Sequence, residues 1–228
     1  MSGASSAIGL ALVAVVPLLL VTLTCFLKIS VVLALARNAI GAPQVPPSFV
    51  ILGLALLLSI VVMAPVAEEA WTAATTAPAP SPSPSPSPSP SPSPSPADLL
   101  PPDIRSQLPA IARALTPLRA FLARHAHAAD RATFRDLAAT MAKRPVGDDA
   151  LVVLGPAFAT SELTEAFAIG FLLLLPFLVV DLVVGLVLAA LGLHGVSATQ
   201  VALPLKLLLF VAIDGWRLLA EGLILGYR

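Results

Sequence analysis

Residues 166–191 read AFAIGFLLLLPFLVVDLVVGLVLAAL, residues 192–197 read GLHGVS, and residues 201–225 read VALPLKLLLFVAIDGWRLLAEGLIL. A helix rises ~1.5 Å per residue, so about 20 apolar residues cross the ~30 Å hydrocarbon core of a bilayer. Both long runs reach that length, and so short a turn between them forces an antiparallel hairpin. Pro176 and Pro204 interrupt the runs. They predict bends, because proline lacks the N–H a helix interior needs and crowds the preceding turn. Asp181, Lys206, Asp214 and Arg217 interrupt them as well. A charge exposed to lipid is costly, so such groups are expected to face a bundle interior and pair there. Asp214 and Arg217 are within reach of each other on one helix. Lys206 is expected to meet Asp181, across the hairpin or in a neighbouring copy.

The composition agrees with a membrane location. Of 228 residues, 57% are hydrophobic and 11% charged, against roughly 25% charged in an ordinary soluble domain. The mean hydropathy is +0.94. A soluble globule of this size cannot hide so much apolar surface. The charges are also unevenly spread: residues 97–156 hold eight of the 13 basic and six of the 13 acidic residues. Two apolar blocks therefore flank one polar insert. With a net charge of zero and only a slight basic excess in the insert, no nucleic-acid partner is implied. The single cysteine, Cys25, excludes an intramolecular disulfide framework and reads as a buried, inert thiol.

In the first block, Ile8 to Leu27 is one apolar run broken by Pro17. It lacks a basic leader and a small-residue cleavage site, so it reads as a retained span. Lys28 follows, then an apolar stretch to Ala36, then the Gly/Pro-rich loop 37–47. The second span runs from Phe49 to Val66 and is expected to end at Pro65, with Trp71 as an interfacial anchor. Residues 81–96 are eight Ser-Pro repeats. Proline at every second position forbids helix and sheet, which predicts an extended tether of on the order of 50–60 Å. Beyond it, Ile104, Leu108, Ile111, Leu115, Leu118 and Leu122 recur at helical spacing. Pro109 and Pro117 are expected to divide that stretch. A second piece from Ala128 to Met141 should turn Phe134 and Leu137 inward.

These readings give an all-α membrane protein: two kinked helical hairpins flanking a small helical extramembrane subdomain. The expected boundaries are residues 1–71 for the N-terminal hairpin, 72–97 for the linker, 98–156 for the periplasmic subdomain and 157–228 for the C-terminal hairpin. Arg37 is the one basic residue in a short loop, which places residues 37–47 in the cytoplasm and the insert on the far side. His125 and His127 lie on different helix faces with no zinc motif and read as solvated. No phosphate loop, nucleophile elbow or CxxC occurs, so neither an enzyme nor a cofactor or metal site is expected. Interrupted helices and intramembrane charges also suit an ion-coupled transporter, and a structural anchor for the insert is a third class.

Several motifs resemble the SctR/FliP family. In the first half they are Phe26-Leu27-Lys28-Ile29, Arg37-Asn38-Ala39-Ile40-Gly41, Gln44-Val45-Pro46-Pro47 and Val62-Met63-Ala64-Pro65-Val66. In the second half they are Ala166 to Phe171, Leu175-Pro176-Phe177 through Asp181 to Val184, Leu203-Pro204-Leu205-Lys206 and Asp214-Gly215-Trp216. The resemblance implies a core subunit of the bacterial type III export apparatus in the inner membrane. Copies of such subunits, a pentamer, assemble with S-, T- and U-type subunits into a gate that conducts unfolded protein substrates. It also implies that Lys28, Asp181, Lys206, Asp214 and Arg217 form intersubunit or interhelix pairs. Leu193, His194, Gly195 and Val196 then form the turn that faces the pore. Family members usually carry methionines in that turn and often a lysine at Ala168, and this sequence has neither. The wording of the second half leans towards an injectisome over a flagellum.

Overall fold

A computed structural model describes residues 21–42, 44–76 and 102–228. The retained span around Pro17 and the Ser-Pro tether lie outside the described residues, apart from the end of the span at residues 21–27. Among the described residues the protein is all-α. The helices are α1 (Phe26–Ile40), α2 (Ser48–Thr75), α3 (Pro102–His125), α4 (Ala128–Ala142), α5 (Leu151–Ala190), α6 (Ala198–Ala212) and α7 (Gly215–Leu225). Residues up to Met63 and from His125 onward make one compact unit, and Ala64–Arg124 make a second. The boundary expected at residue 156 thus falls inside α5, and α4 belongs with the apolar helices.

The 40-residue α5 is the spine of the first unit. It starts at Leu151, well before the apolar run at Ala166, because the polar stretch preceding that run is itself helical, with Ser161 and Glu162 buried. α1 runs parallel to α5 along its first half. Leu23 lies by Gly155, and Leu35 lies against Gly170 so tightly that a Cβ at Gly170 would sit 2.3 Å from Leu35 Cδ1 and 3.2 Å from its Cβ. Further on, Ala39 and Ile40 join Phe177 and Phe210 in a buried cluster. α6 returns antiparallel along the second half of α5. Its rungs are Ala198 facing Gly185, Ala202 facing Val184 and Leu188, Lys206 facing Asp181 and Phe210 facing Phe177. The spacing of four on α6 against three to four on α5 keeps one face of each helix in contact throughout.

Prolines break fewer helices than their number suggests. Pro65 sits inside α2, which continues to Thr75 instead of ending there. Pro109 and Pro117 sit inside α3, which is not divided. Proline's fixed φ is itself helical, so a helix with enough flanking hydrogen bonds survives the loss of one. The break that does occur lies elsewhere: Asp214 adopts a left-handed φ of 52° and separates α6 from α7. The run 201–225 is therefore two helices. Leu137 is 52% exposed within the chain and not turned inward.

α2 and α5 are long and apolar enough to cross a membrane. Only 11% of the most apolar stretch of α5 is buried within the chain. Phe171, Leu172, Leu178, Val179, Leu182 and Leu186 are all more than half exposed, so lipid or other subunits must cover that face. Gly170→Val should weaken the α1–α5 contact by about 1–3 kcal/mol through overpacking. Gly53→Ala, at a site with nothing within 4 Å, should not destabilise. Thermal melts of the two variants in detergent compare them directly.

Candidate functional site

Three features gather the residues that the sequence singles out: a charge node at Lys28, a second at Lys206, and the turn between α5 and α6.

Lys28 is buried on α1. Its ammonium lies 3.0 Å from Glu162 Oε1 and 2.6 Å from Glu165 Oε2, one helical turn apart on α5. It also sits 4.4 Å from the centroid of the Tyr227 ring, a cation–π contact. Glu162 is fully buried, and its Oε2 accepts a hydrogen bond from the Tyr227 hydroxyl. Burial, reinforced by the Glu162 carboxylate, holds the Tyr227 phenol well above its usual range, so it remains a donor. The ring of His125 meets Tyr227 edge-on at 5.2 Å. On the other side, Glu165 Oε1 lies 2.9 Å from His127 Nε2. Ser161 Oγ accepts from the His127 backbone N–H at 2.8 Å and donates to Asp130 at 2.6 Å. The start of α4 is thereby fastened to α5. His127 is not merely solvated: its ring is about half exposed but engaged by a carboxylate.

Lys206 is also buried and donates to Asp181 Oδ2 at 2.5 Å across the α5–α6 hairpin, within one chain. A Cβ on Gly41 would lie 3.9 Å from its ammonium, so the end of α1 roofs this node. Gly41 has a φ of 88° and caps α1 by donating to the Asn38 carbonyl at 3.0 Å. This conformation is cheap only for glycine. Arg37 donates to the Pro46 carbonyl at 3.3 Å and to Ser48 Oγ at 3.0 Å, bracing the loop that contains Pro46 and Pro47 against the start of α2. Next to Lys206, Phe210 stacks edge-on with Trp216 at 5.1 Å. Gly215 lies under the Phe210 ring, which a Cβ would meet at 2.3 Å. Arg217 pairs with Glu221 at 2.8 Å and not with Asp214. The left-handed Asp214 is the residue that caps α7, so Glu221, one turn further along the same helix, is the partner in register. Pro176 and Pro204 are exposed on the outer faces of α5 and α6.

The turn is built by Gly192. Its φ of 71° lets Leu193 N–H bond to the Leu188 carbonyl at 2.9 Å and Gly192 N–H to the Ala189 carbonyl at 3.1 Å. These are the paired bonds of a Schellman end. Leu193, His194, Gly195 and Val196 are all exposed at this tip, with Leu193 and Val196 presenting apolar side chains.

Sequence reading missed Glu162, Glu165 and Tyr227, whose signal was the spacing of two carboxylates at i and i+3 beside an apolar run. It also missed the break at Asp214, although Asp-Gly is a turn dipeptide. Lys28→Met should cost about 3–5 kcal/mol, because it strands the buried Glu162 charge. Lys206→Met should also destabilise, because it leaves Asp181 without its ion-pair partner in the middle of an apolar run. Replacing both Lys28 and Glu162 by apolar residues should recover part of the loss. Unfolding midpoints of the three purified variants rank the effects.

Known proteins place this architecture. A sequence model of the FliP family matches residues 10–223. The chain is 44% identical to "Pathogenicity-related ORF2" of Xanthomonas campestris pv. glycines, over 93% of this chain and 91% of that protein. It is 41% identical to "Hypersensitivity response secretion protein HrcR" of Ralstonia nicotianae, over 95% and 93%. To "Flagellar biosynthetic protein FliP" of Pectobacterium carotovorum it is 39% identical, over 91% of this chain and 72% of that protein. With a match across nearly its whole length and relatives well above 30% identity, the chain belongs to the FliP family, whose members are membrane components of type III protein export.

Proposed function

We propose that this chain is a core subunit of the type III export gate, forming with further copies, and with S-, T- and U-type subunits, the conduit for unfolded proteins across the inner membrane. The observation that carries this reading is the surface of α5. Its charges are paired inside the chain while its apolar outer face is left uncovered, as suits a subunit whose neighbours complete its packing. A conduit subunit needs no catalytic residue, only a wall and a seal. In this reading the chain crosses the membrane more than once, with the loop at residues 37–47 cytoplasmic and the insert periplasmic. The exposed tip at Leu193–Val196 lines the constriction, where Leu193 and Val196 supply an apolar seal in place of methionine. His194 adds a polar group to it. Asp214 is exposed on one chain and is available to a neighbouring subunit. An injectisome is favoured by the methionine-free turn at Leu193–Val196 and by the Leu203-Pro204-Leu205-Lys206 motif.

Affinity purification from native membranes is the direct test. A gate subunit should elute in a large assembly containing several copies and other export components. Elution as a monomer or small oligomer with intact transport of an ion would favour an ion-coupled transporter instead. Within the assembly, Leu193→Asp should open the closed seal and raise small-ion conductance of the membrane severalfold. Unchanged conductance in an assembled variant would remove the tip from the constriction.

A further inference from the structure

We infer that Tyr227 is a positioning residue for Lys28, and that through Lys28 it couples the segment following α7 to the start of α4. The geometry behind this is a chain of shared partners. One ammonium serves two carboxylates, Glu162 at 3.0 Å and Glu165 at 2.6 Å. Glu162 is fully buried and has no access to water. A carboxylate in such a place needs donors on both oxygens. Tyr227 supplies one to Oε2, and Lys28 lies beside Oε1 as an ion-pair partner without a hydrogen bond to it. The lysine is then free to make its shorter contact with Glu165. Glu165 holds His127 with its other oxygen, and His127 begins α4.

Removing the Tyr227 hydroxyl alters that division. Glu162 would lose one of the two groups that stabilise its charge, and Lys28 would be drawn towards it and away from Glu165. Glu165 is part-exposed and can turn to water, loosening its hold on His127. The effect of Tyr227 on α4 therefore passes through the charge on Glu162. That charge, and not the volume of the ring, is the coupling element. A residue that merely filled space would act through its ring, which Phe preserves.

The test is hydrogen–deuterium exchange on the full-length chain, purified in detergent within the complex it forms and read over residues 125–135. Tyr227→Phe should speed exchange there about tenfold, as loss of a charge-assisted hydrogen bond would. Exchange over residues 198–210, around the Lys206 node, should stay unchanged. Adding Glu162→Gln to Tyr227→Phe should restore slow exchange at residues 125–135, because a neutral amide no longer draws Lys28 away. Wild-type exchange at residues 125–135 in Tyr227→Phe overturns the inference, and so does a double variant that stays as fast as the single one. Should Tyr227→Phe fail to accumulate, recovery of the folded chain by the added Glu162→Gln supports the coupling, and no recovery overturns it.

Discussion

The buried ammonium of Lys28 is the constraint around which the first unit is arranged. A lysine that is 4% exposed cannot stay charged without close counter-charges. Its partners come from far along the chain: Glu162 and Glu165 on α5, and the ring of Tyr227 after α7. Meeting that requirement fixes α1 beside the first half of α5 and in parallel with it. The parallel direction in turn brings Leu35 onto Gly170 and the end of α1 onto Phe177. It also carries Gly41 over the Lys206 node. The two charge nodes thus lie at opposite ends of one helix contact. Apolar packing between them has little directional preference, whereas the nodes admit one register.

The hairpin of α5 and α6 shows how small and charged residues share that work. Gly185 and Ala198 allow close approach near the tip, Lys206 and Asp181 set register in the middle, and Phe177 and Phe210 fill the far end. The left-handed residue at Asp214 then redirects the chain so that α7 does not prolong α6. Trp216 closes over Phe210, and the following segment reaches the Lys28 node. A straight helix from residue 201 to residue 225 would carry Tyr227 along the axis of α6 with no such turn.

Much of this was legible from the residues. The short turn required an antiparallel hairpin, and a charge in the middle of an apolar run required a partner, which Asp181 provides for Lys206. What was not legible were features set by distant contacts. Glu162 and Glu165 went unmarked, because nothing local shows that a lysine more than 130 residues earlier will cover them. Pro65, Pro109 and Pro117 read as breaks, because local rules weigh the lost hydrogen bond and not the many that remain. The break at Asp214 was hidden by the opposite bias. An apolar stretch of spanning length suggests one helix, and the Asp-Gly signal inside it is easily taken for another intramembrane charge. The exposed tip at Leu193 was readable as a turn, but its Schellman geometry follows from a glycine whose φ only the fold reveals.

The separation of Lys28 from its carboxylates also has a meaning in time. Glu165 follows Lys28 by 137 residues, and a ribosome adds about 5–20 residues per second, so on the order of ten seconds pass before the lysine can meet its acid. Tyr227 arrives a further 65 residues after Glu162. Throughout that interval α1 carries an uncompensated cation next to an apolar run. The contact of α1 with α5 therefore cannot form until α5 has been made.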